Sequence, residues 1–183
     1  HGGLSVEVSA APLGESHRRL EAHHVLVAVG GRPYIPDDVE GAEMGITSDD
    51  LFSLKSSPGR TLVVGGGYIA LESAGLLAAL GLPVTLAIRS KALRGFDSEM
   101  VDRLLHDLSS RGVAIVQDQP SRLMRASPGI QVSSRSGESG PLDGETFETV
   151  LWATGRRPST GALGLERFPD VSVLGSGKVD ALS

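Results

Sequence analysis

An α/β fold built on a parallel β-α-β-α-β sheet is predicted by three observations on this 183-residue chain. The strand-like run Thr61-Leu62-Val63-Val64 passes straight into Gly65-Gly66-Gly67 and then into a helix-forming stretch, Tyr68 to Leu80. Two further β-type runs, Val84–Ile88 and Val113–Val116, alternate with that helix and with a second one, about Ser98 to Arg111. Each helix is followed by a capping glycine, Gly81 or Gly112, and Pro83 prevents the first from continuing.

The glycine turn carries the chemistry. A strand, then Gly65-x-Gly67-x-x-Ala70, then a helix is the order of a Rossmann-like nucleotide-binding unit. Gly65 lets the chain turn sharply out of the strand, and Gly67 has no side chain to block a pyrophosphate approaching the backbone. Ala70 is small enough for the helix to lie close on the sheet. Free N–H groups of the first helical turn, with the positive end of the helix dipole behind them, then face the phosphates. Glycine-rich corners also occur as plain tight turns, so the weight falls on the second strand and the loop after it. The strand Val84–Ile88 ends at Arg89-Ser90-Lys91-Ala92-Leu93-Arg94, where an NAD site would place a carboxylate for the ribose hydroxyls. Two guanidinium groups, an ammonium and a hydroxyl suit a dianionic 2′-phosphate, and NADP(H) is expected. The competing reading is a solvated basic loop. A net charge of −5 means that a cationic cluster confined to this end is not a by-product of composition.

At 40% hydrophobic residues, the chain has material for one domain, or for one domain and a piece of another. The acidic balance argues against a nucleic-acid or anionic-membrane surface as its main business. With no cysteine, disulfides, thiolate metal sites and thiol redox chemistry are excluded from this stretch. No apolar run approaches the ~20 residues of a membrane span, and no signal peptide is visible. A cytoplasmic location is expected, an organellar one being the alternative.

In chain order, Leu4–Val8 alternates apolar and polar residues as a half-exposed strand does, and a polar loop leads to Arg18–Ala22. His23 to Gly30 has the pattern of a buried strand ending in glycine. The neighbouring His23 and His24 would point to opposite faces of that strand and cannot chelate one ion, so no metal site is expected. Gly31 to Thr47 reads as an extended connector punctuated by Pro33 and Pro36, Ser48 to Leu54 as a short capped helix, and Ser57-Pro58-Gly59 as a turn. Met100, Val101, Leu104, Leu105 and Leu108 form the apolar stripe of the second helix. Beyond it, Ser121–Ala126, Gly129–Arg135 and Glu145–Trp152 predict an antiparallel three-stranded meander. Val150 to Gly155 reads as a last buried strand, and the chain from Ser159 onward as loop. Both ends look cut from something longer.

Two strand-to-glycine endings, Ala28-Val29-Gly30-Gly31-Arg32-Pro33 and Ala153-Thr154-Gly155-Arg156-Arg157-Pro158, bracket the glycine turn. This constellation resembles the pyridine nucleotide-disulfide oxidoreductases, the flavoenzyme family of glutathione reductase, thioredoxin reductase and lipoamide dehydrogenase. Within it, Ile46–Leu54, Leu62–Glu72 and Ile88–Asp97 are most similar to the large, animal-type thioredoxin reductases, with glutathione reductases next. The resemblance implies residues 1–57 as the C-terminal part of an FAD domain and a connector, 58–155 as an NADP(H)-binding domain, and 156–183 as a segment returning toward the FAD domain. In such enzymes NADPH reduces FAD, and the flavin reduces a disulfide that serves a thioredoxin-like or glutathione-like substrate; the whole enzymes are homodimers.

Carried over by match, Gly65, Gly67 and Ala70 would line the pyrophosphate turn, Ile69 would be a further cofactor-binding residue, and Arg89, Ser90 and Arg94 would hold the 2′-phosphate. Tyr68 resembles a gate over the flavin, against a plain reading as a core aromatic. Glu72 resembles the partner of a flavin-side lysine, against an exposed helix carboxylate. Gly155 and Arg156 would contact cofactor near the nicotinamide half, and Gly30 would contact FAD. The family's Cys-x4-Cys pair, amino-terminal FAD fingerprint and carboxy-terminal dimer domain do not occur here, and Val29 stands where threonine is usual. What is expected is therefore an excised NADP(H)-binding region without catalytic residues of its own. Two rivals are a stand-alone nucleotide-sensing module and a same-fold FAD reductase of a quinone, ferredoxin or peroxide.

Overall fold

A computed structural model describes residues 4–9 and 17–181. The chain divides into two compact units, with the division between Gly30 and Gly31. In the first, β1 (Leu4–Ser9) pairs antiparallel with β2 (His17–Ala22), Leu4 opposite Ala22 and Val6 opposite Leu20. His23 to Gly30 corrects the sequence expectation: these residues form no strand, and Leu26 is 89% exposed. A run of valines becomes a buried strand only when a neighbour takes up its backbone N–H and C=O groups. Among the described residues no strand pairs with it.

The second unit opens with β3 (Gly31–Pro33), β4 (Ile46–Thr47) and α1 (Ser48–Leu51). The N-cap of α1 is Thr47, whose N–H and hydroxyl both donate to Asp50, at 2.8 and 2.7 Å. These bonds hold the Asp50 carboxyl below its ordinary pKa. The nucleotide unit then runs as β5 (Thr61–Val64), α2 (Tyr68–Ala79), β6 (Val84–Ala87), α3 (Ser98–Ser110) and β7 (Ala114–Val116), matching the sequence pattern closely. Next come β8 (Pro120–Arg125), β9 (Ile130–Ser134), β10 (Thr146–Phe147), β11 (Thr149–Trp152) and β12 (Arg156–Pro158).

Five strands make one parallel sheet in the order β4-β11-β5-β6-β7. Every residue of β5 is buried because the sheet is covered on both faces. Val63, Leu86 and Leu151 face Leu71, Ala74 and Leu77 of α2 and Val101 and Leu108 of α3. Leu62, Val64, Val150 and Trp152 belong to a second core with Leu123, Val132 and Phe147 of the antiparallel sheet β10-β9-β8. In α3 the buried stripe narrows to Val101 and Leu108, with Leu105 partly covered; Met100 and Leu104 are exposed.

The stretch Glu145–Trp152, read from sequence as a single run, splits at Glu148 between the two sheets. Arg60 makes the corner. Its carbonyl accepts from Glu148 N–H at 2.8 Å, and its guanidinium donates to the Thr146 carbonyl at 2.6 Å while lying 4.6 Å from the centre of the Phe147 ring. β12 pairs antiparallel with β3, Arg157 opposite Arg32; beyond it, in the stretch from Ser159 read from sequence as loop, Leu165–Arg167 forms a 3-10 turn.

The loop after β7 is fixed by Asp118, which is only 4% exposed. Its carboxylate accepts from Ser134 Oγ at 2.6 Å, Gln119 N–H at 2.8 Å, Ser136 Oγ at 3.1 Å and Leu142 N–H at 3.2 Å. Burial alone would raise its pKa, but these four donors outweigh burial and hold it below the ordinary value of 3.8. A carboxyl whose folded pKa is depressed adds stability above its unfolded pKa and loses it as the pH falls through the folded one. Asp118→Ala is expected to lower the unfolding free energy at neutral pH by about 2–3 kcal/mol, since it strands buried donors. Urea denaturation followed through the fluorescence of Trp152, the chain's one tryptophan, checks this. The gap between wild type and variant should narrow below about pH 4.

Candidate functional site

A cavity of about 770 Å³ runs along the carboxyl edge of the parallel sheet. Thr154 and Gly155 enter it after β11, Gly65 to Gly67 after β5, Arg89 to Lys91 after β6 and Gln119 after β7. Ligands of open parallel sheets bind outside this edge.

The glycine turn is built by close approach. Gly65 has φ +146°, and a Cβ there would lie 2.2 Å from the Ala153 carbonyl oxygen and 3.3 Å from the Ala70 Cβ. Only glycine fits. Ala70 is fully buried on the other side of the turn. Gly67 is different in kind: a Cβ at this position would meet nothing within 4 Å, so its surface is open toward the cavity. Gly67 is the N-cap of α2, and its carbonyl accepts from Ala70 and Leu71. The N–H groups of Gly67, Tyr68 and Ile69 precede the first helical bond and have no partner within the helix. The residues present thus fit a phosphate-bearing ligand: an open glycine beside free backbone donors at the positive end of a twelve-residue helix.

The basic loop is tied to this turn. Leu93 N–H donates to the Gly66 carbonyl at 2.7 Å, and Leu93 holds φ +43°, the one positive value at a non-glycine among the described residues. Arg94 donates to the Ser90 hydroxyl. Arg89, Ser90, Lys91 and Arg94 all line the cavity and are exposed, and none of the three cations forms an ion pair among the described residues.

Acids of the same cavity are neutralised locally. The Asp37 carboxylate accepts from the Tyr34 hydroxyl at 2.7 Å and from Arg157 at 3.3 Å, and these bonds, Tyr34's foremost, lower its pKa. Arg157 also stacks 3.9 Å from the centre of the Tyr34 ring. Asp38 pairs with Arg135 at 2.8 Å. Tyr34, Asp37, Asp38, Gln119 and Arg135 were not legible as cavity residues, because the edge is assembled from segments distant in sequence; Phe96, bordering the basic loop, carried a local signal.

The sequence-predicted residues separate into three places. Gly65, Gly67, Tyr68, Arg89, Ser90, Arg94 and Gly155 share the first cavity. Tyr68 is 58% exposed, which removes its reading as a core aromatic. Ile69, Glu72 and Arg156 instead line a second cavity of about 890 Å³ along the outer face of α2, and Glu72 is exposed. There Asp49 bridges Arg156 at 3.2 Å and Arg32 at 3.4 Å. Gly30, with φ +63°, lies in the other unit. Among the described residues no cluster of histidine and carboxylate side chains is placed to hold a metal, and no helix is long and apolar enough to cross a membrane.

The family model for pyridine nucleotide-disulphide oxidoreductases matches residues 4–180. The chain belongs to this family. Over 155 residues it is 43% identical to thioredoxin reductase 2, mitochondrial, of Drosophila melanogaster, a match covering 84% of the chain and 30% of that protein. Against thioredoxin reductase SEP1 of Emiliania huxleyi it is 38% identical over 166 residues, covering 90% and 33%. Two solved structures are similar along 94% of the chain: LpdA of Mycobacterium tuberculosis, at 26% identity and TM-score 0.79 over 37% of that chain, and a Cu(II) complex of the HOCl-induced flavoprotein disulfide reductase RclA of Escherichia coli, at 25% and 0.79 over 38%. The chain spans about a third of the length of these curated relatives. Membership of the pyridine nucleotide-disulphide oxidoreductases implies a nicotinamide nucleotide and a flavin.

The two glycines of the turn give opposite expectations for stability. Gly65→Ala meets the Ala153 carbonyl in a strained backbone region and should cost about 1–3 kcal/mol. Gly67→Ala, at φ −86° with open space around it, should stay within about 0.5 kcal/mol of the parent. Thermal melts of both variants check the pair.

Proposed function

We propose that this chain is the NADP(H)-binding region of a thioredoxin reductase-like flavoenzyme, and that the first cavity holds the nucleotide. The observation that carries this reading is the meeting, on one sheet edge, of an open glycine at a helix start and three cations, unpaired among the described residues, at the end of the adjacent strand. Gly65 and Gly67 would let the pyrophosphate reach the first-turn N–H groups of α2. Arg89, Ser90 and Arg94 would grip the 2′-phosphate, and Lys91 would add charge. Tyr68, exposed at the cavity, would screen the nicotinamide end beside Gly155. When bound, the nucleotide supplies a hydride for FAD. The domains would run 1–57, 58–155 and 156–183, with Gly30 toward the flavin and Glu72 and Arg156 on the flavin side of α2. The whole enzyme would be a cytoplasmic or organellar homodimer passing electrons through a redox disulfide to a thioredoxin-like or glutathione-like substrate; this chain has no cysteine to take part in that step.

The test is a titration of the 183-residue chain with NADPH and NADH, read from Trp152, which itself lines the cavity. NADPH should bind more tightly. Arg89→Ala should cost NADPH about 1.5–3 kcal/mol, the scale of a charged hydrogen bond, and NADH little. Gly67→Ala should weaken both nucleotides alike, since the pyrophosphate is common to them. Equal affinity of the parent chain for the two nucleotides overturns the 2′-phosphate assignment.

A further inference from the structure

We infer that Ser90 is a phosphorylation site, and that a phosphoryl group on it excludes NADPH from the first cavity while NADH can still bind. This rests on the NADP(H) reading above and adds a switch to it. Ser90 is exposed in the loop after β6 and lines the cavity with its sequence neighbours Arg89 and Lys91. Arg94 donates to its Oγ, so a guanidinium already reaches the atom that would carry the phosphoryl group. Arg89, Lys91 and Arg94 form no ion pair among the described residues. Ser159, which follows Arg156-Arg157-Pro158, is a contrast: it is half-buried, and those two arginines are bound to Asp49 and Asp37.

The loop presents the hydroxyl without any element having to open. Residues 88–97 form neither helix nor strand, and Arg89, Ser90 and Lys91 are exposed in succession. One end of the loop is nevertheless fixed, because Leu93 N–H donates to the Gly66 carbonyl at 2.7 Å. A protein kinase holding a nucleoside triphosphate supplies the group. Ser90 Oγ attacks the γ-phosphorus, the bond from that phosphorus to the β-phosphate oxygen breaks, nucleoside diphosphate leaves, and the hydroxyl proton passes to the kinase's base.

The product brings about −1.5 to −2 of charge and three acceptor oxygens to a cluster of cations. Being tethered, it faces those cations at an effective concentration on the order of millimolar, whatever the concentration of free nucleotide. A 2′-phosphate then arrives as a second dianion where the donors are occupied and the charge is cancelled. NADH places a neutral 2′-hydroxyl at the same point. An NAD site offers that hydroxyl an anionic acceptor at the end of the second strand, and phosphoserine at position 90 supplies one. A single modification thus removes one nucleotide and keeps the other.

The test uses the 183-residue chain with phosphoserine installed at position 90 during translation, and a charge control with phosphoserine at Ser139, exposed in the loop between β9 and β10 and outside the cavity. NADPH and NADH are titrated against both and against the parent. Phosphoserine at 90 should weaken NADPH at least about tenfold and leave NADH as tight or tighter, which also shows that the chain is folded. Phosphatase should restore NADPH binding, and phosphoserine at 139 should change neither affinity. Phosphorus-31 NMR should place the second phosphate ionisation at a lower pH for position 90 than for 139, and Arg94→Ala should narrow that gap. Unchanged NADPH affinity, equal loss of both nucleotides, or identical ionisation at the two positions overturns the proposal. A parent chain that does not prefer NADPH would instead remove the 2′-phosphate reading itself, and the switch with it.

Discussion

The fold turns on the space that Gly65 does not fill. Because a Cβ there would come within 2.2 Å of the Ala153 carbonyl, the ends of β5 and β11 approach more closely than any side chain would permit. That approach lets Ala153 N–H donate to the Val64 carbonyl at 2.9 Å, while Gly65 N–H reaches the Ala87 carbonyl of β6 at the same distance. Three strand ends are thereby locked together at one point. The chain leaves that point into α2, whose first-turn N–H groups have no partner within the helix, and the helix is held down by a fully buried alanine. Sheet closure and the opening of the cavity are two results of one missing side chain.

A second constraint shapes the far wall. A parallel sheet buried on both faces needs a cover opposite its helices, and the antiparallel sheet β10-β9-β8 provides it through Leu123, Val132 and Phe147. Its attachment is polar at the margins. Arg60 holds the corner where the chain passes from β10 to β11, and Asp118 holds the loop between β7 and β8. The cover therefore does more than exclude water from Trp152 and Leu62. It carries Gln119 and Arg135 to the edge that the glycine turn opens on.

Legibility followed the range of the interactions. β5, α2, β6, α3 and β7 could be read because their period, caps and glycine stops lie within a few residues of each element. The turn and the basic loop were legible for the same reason. His23 to Gly30 was not, because an apolar run reads identically whether or not a neighbouring strand exists to receive it. Trp152 illustrates the other limit. The sequence shows a tryptophan at a strand end, but nothing local shows its indole N–H donating to Ala42, 110 positions away, or that this ring is what requires glycine at position 45. The pairing of β12 with β3, and with it the Tyr34–Asp37–Arg157 cluster, spans a similar distance.

Electrostatics then distinguishes one end of the cavity from the other. The chain is acidic overall, and two aspartates line the cavity, so uniform attraction for an anion is not expected. Asp37 and Asp38, however, are committed to Arg157 and Arg135 across the antiparallel ribbon and the meander, where each pair cancels locally. Arg89, Lys91 and Arg94 have no such partner among the described residues, and they cluster after β6. The positive potential is therefore concentrated at the same end as the strained turn at Leu93. An exposed cation keeps most of its hydration and gains little from a single exposed carboxylate. It gains more from a dianion that several donors contact at once, with the helix start of α2 supplying further donors nearby. The arrangement of charges, more than their sum, is what orients a phosphorylated ligand along this edge.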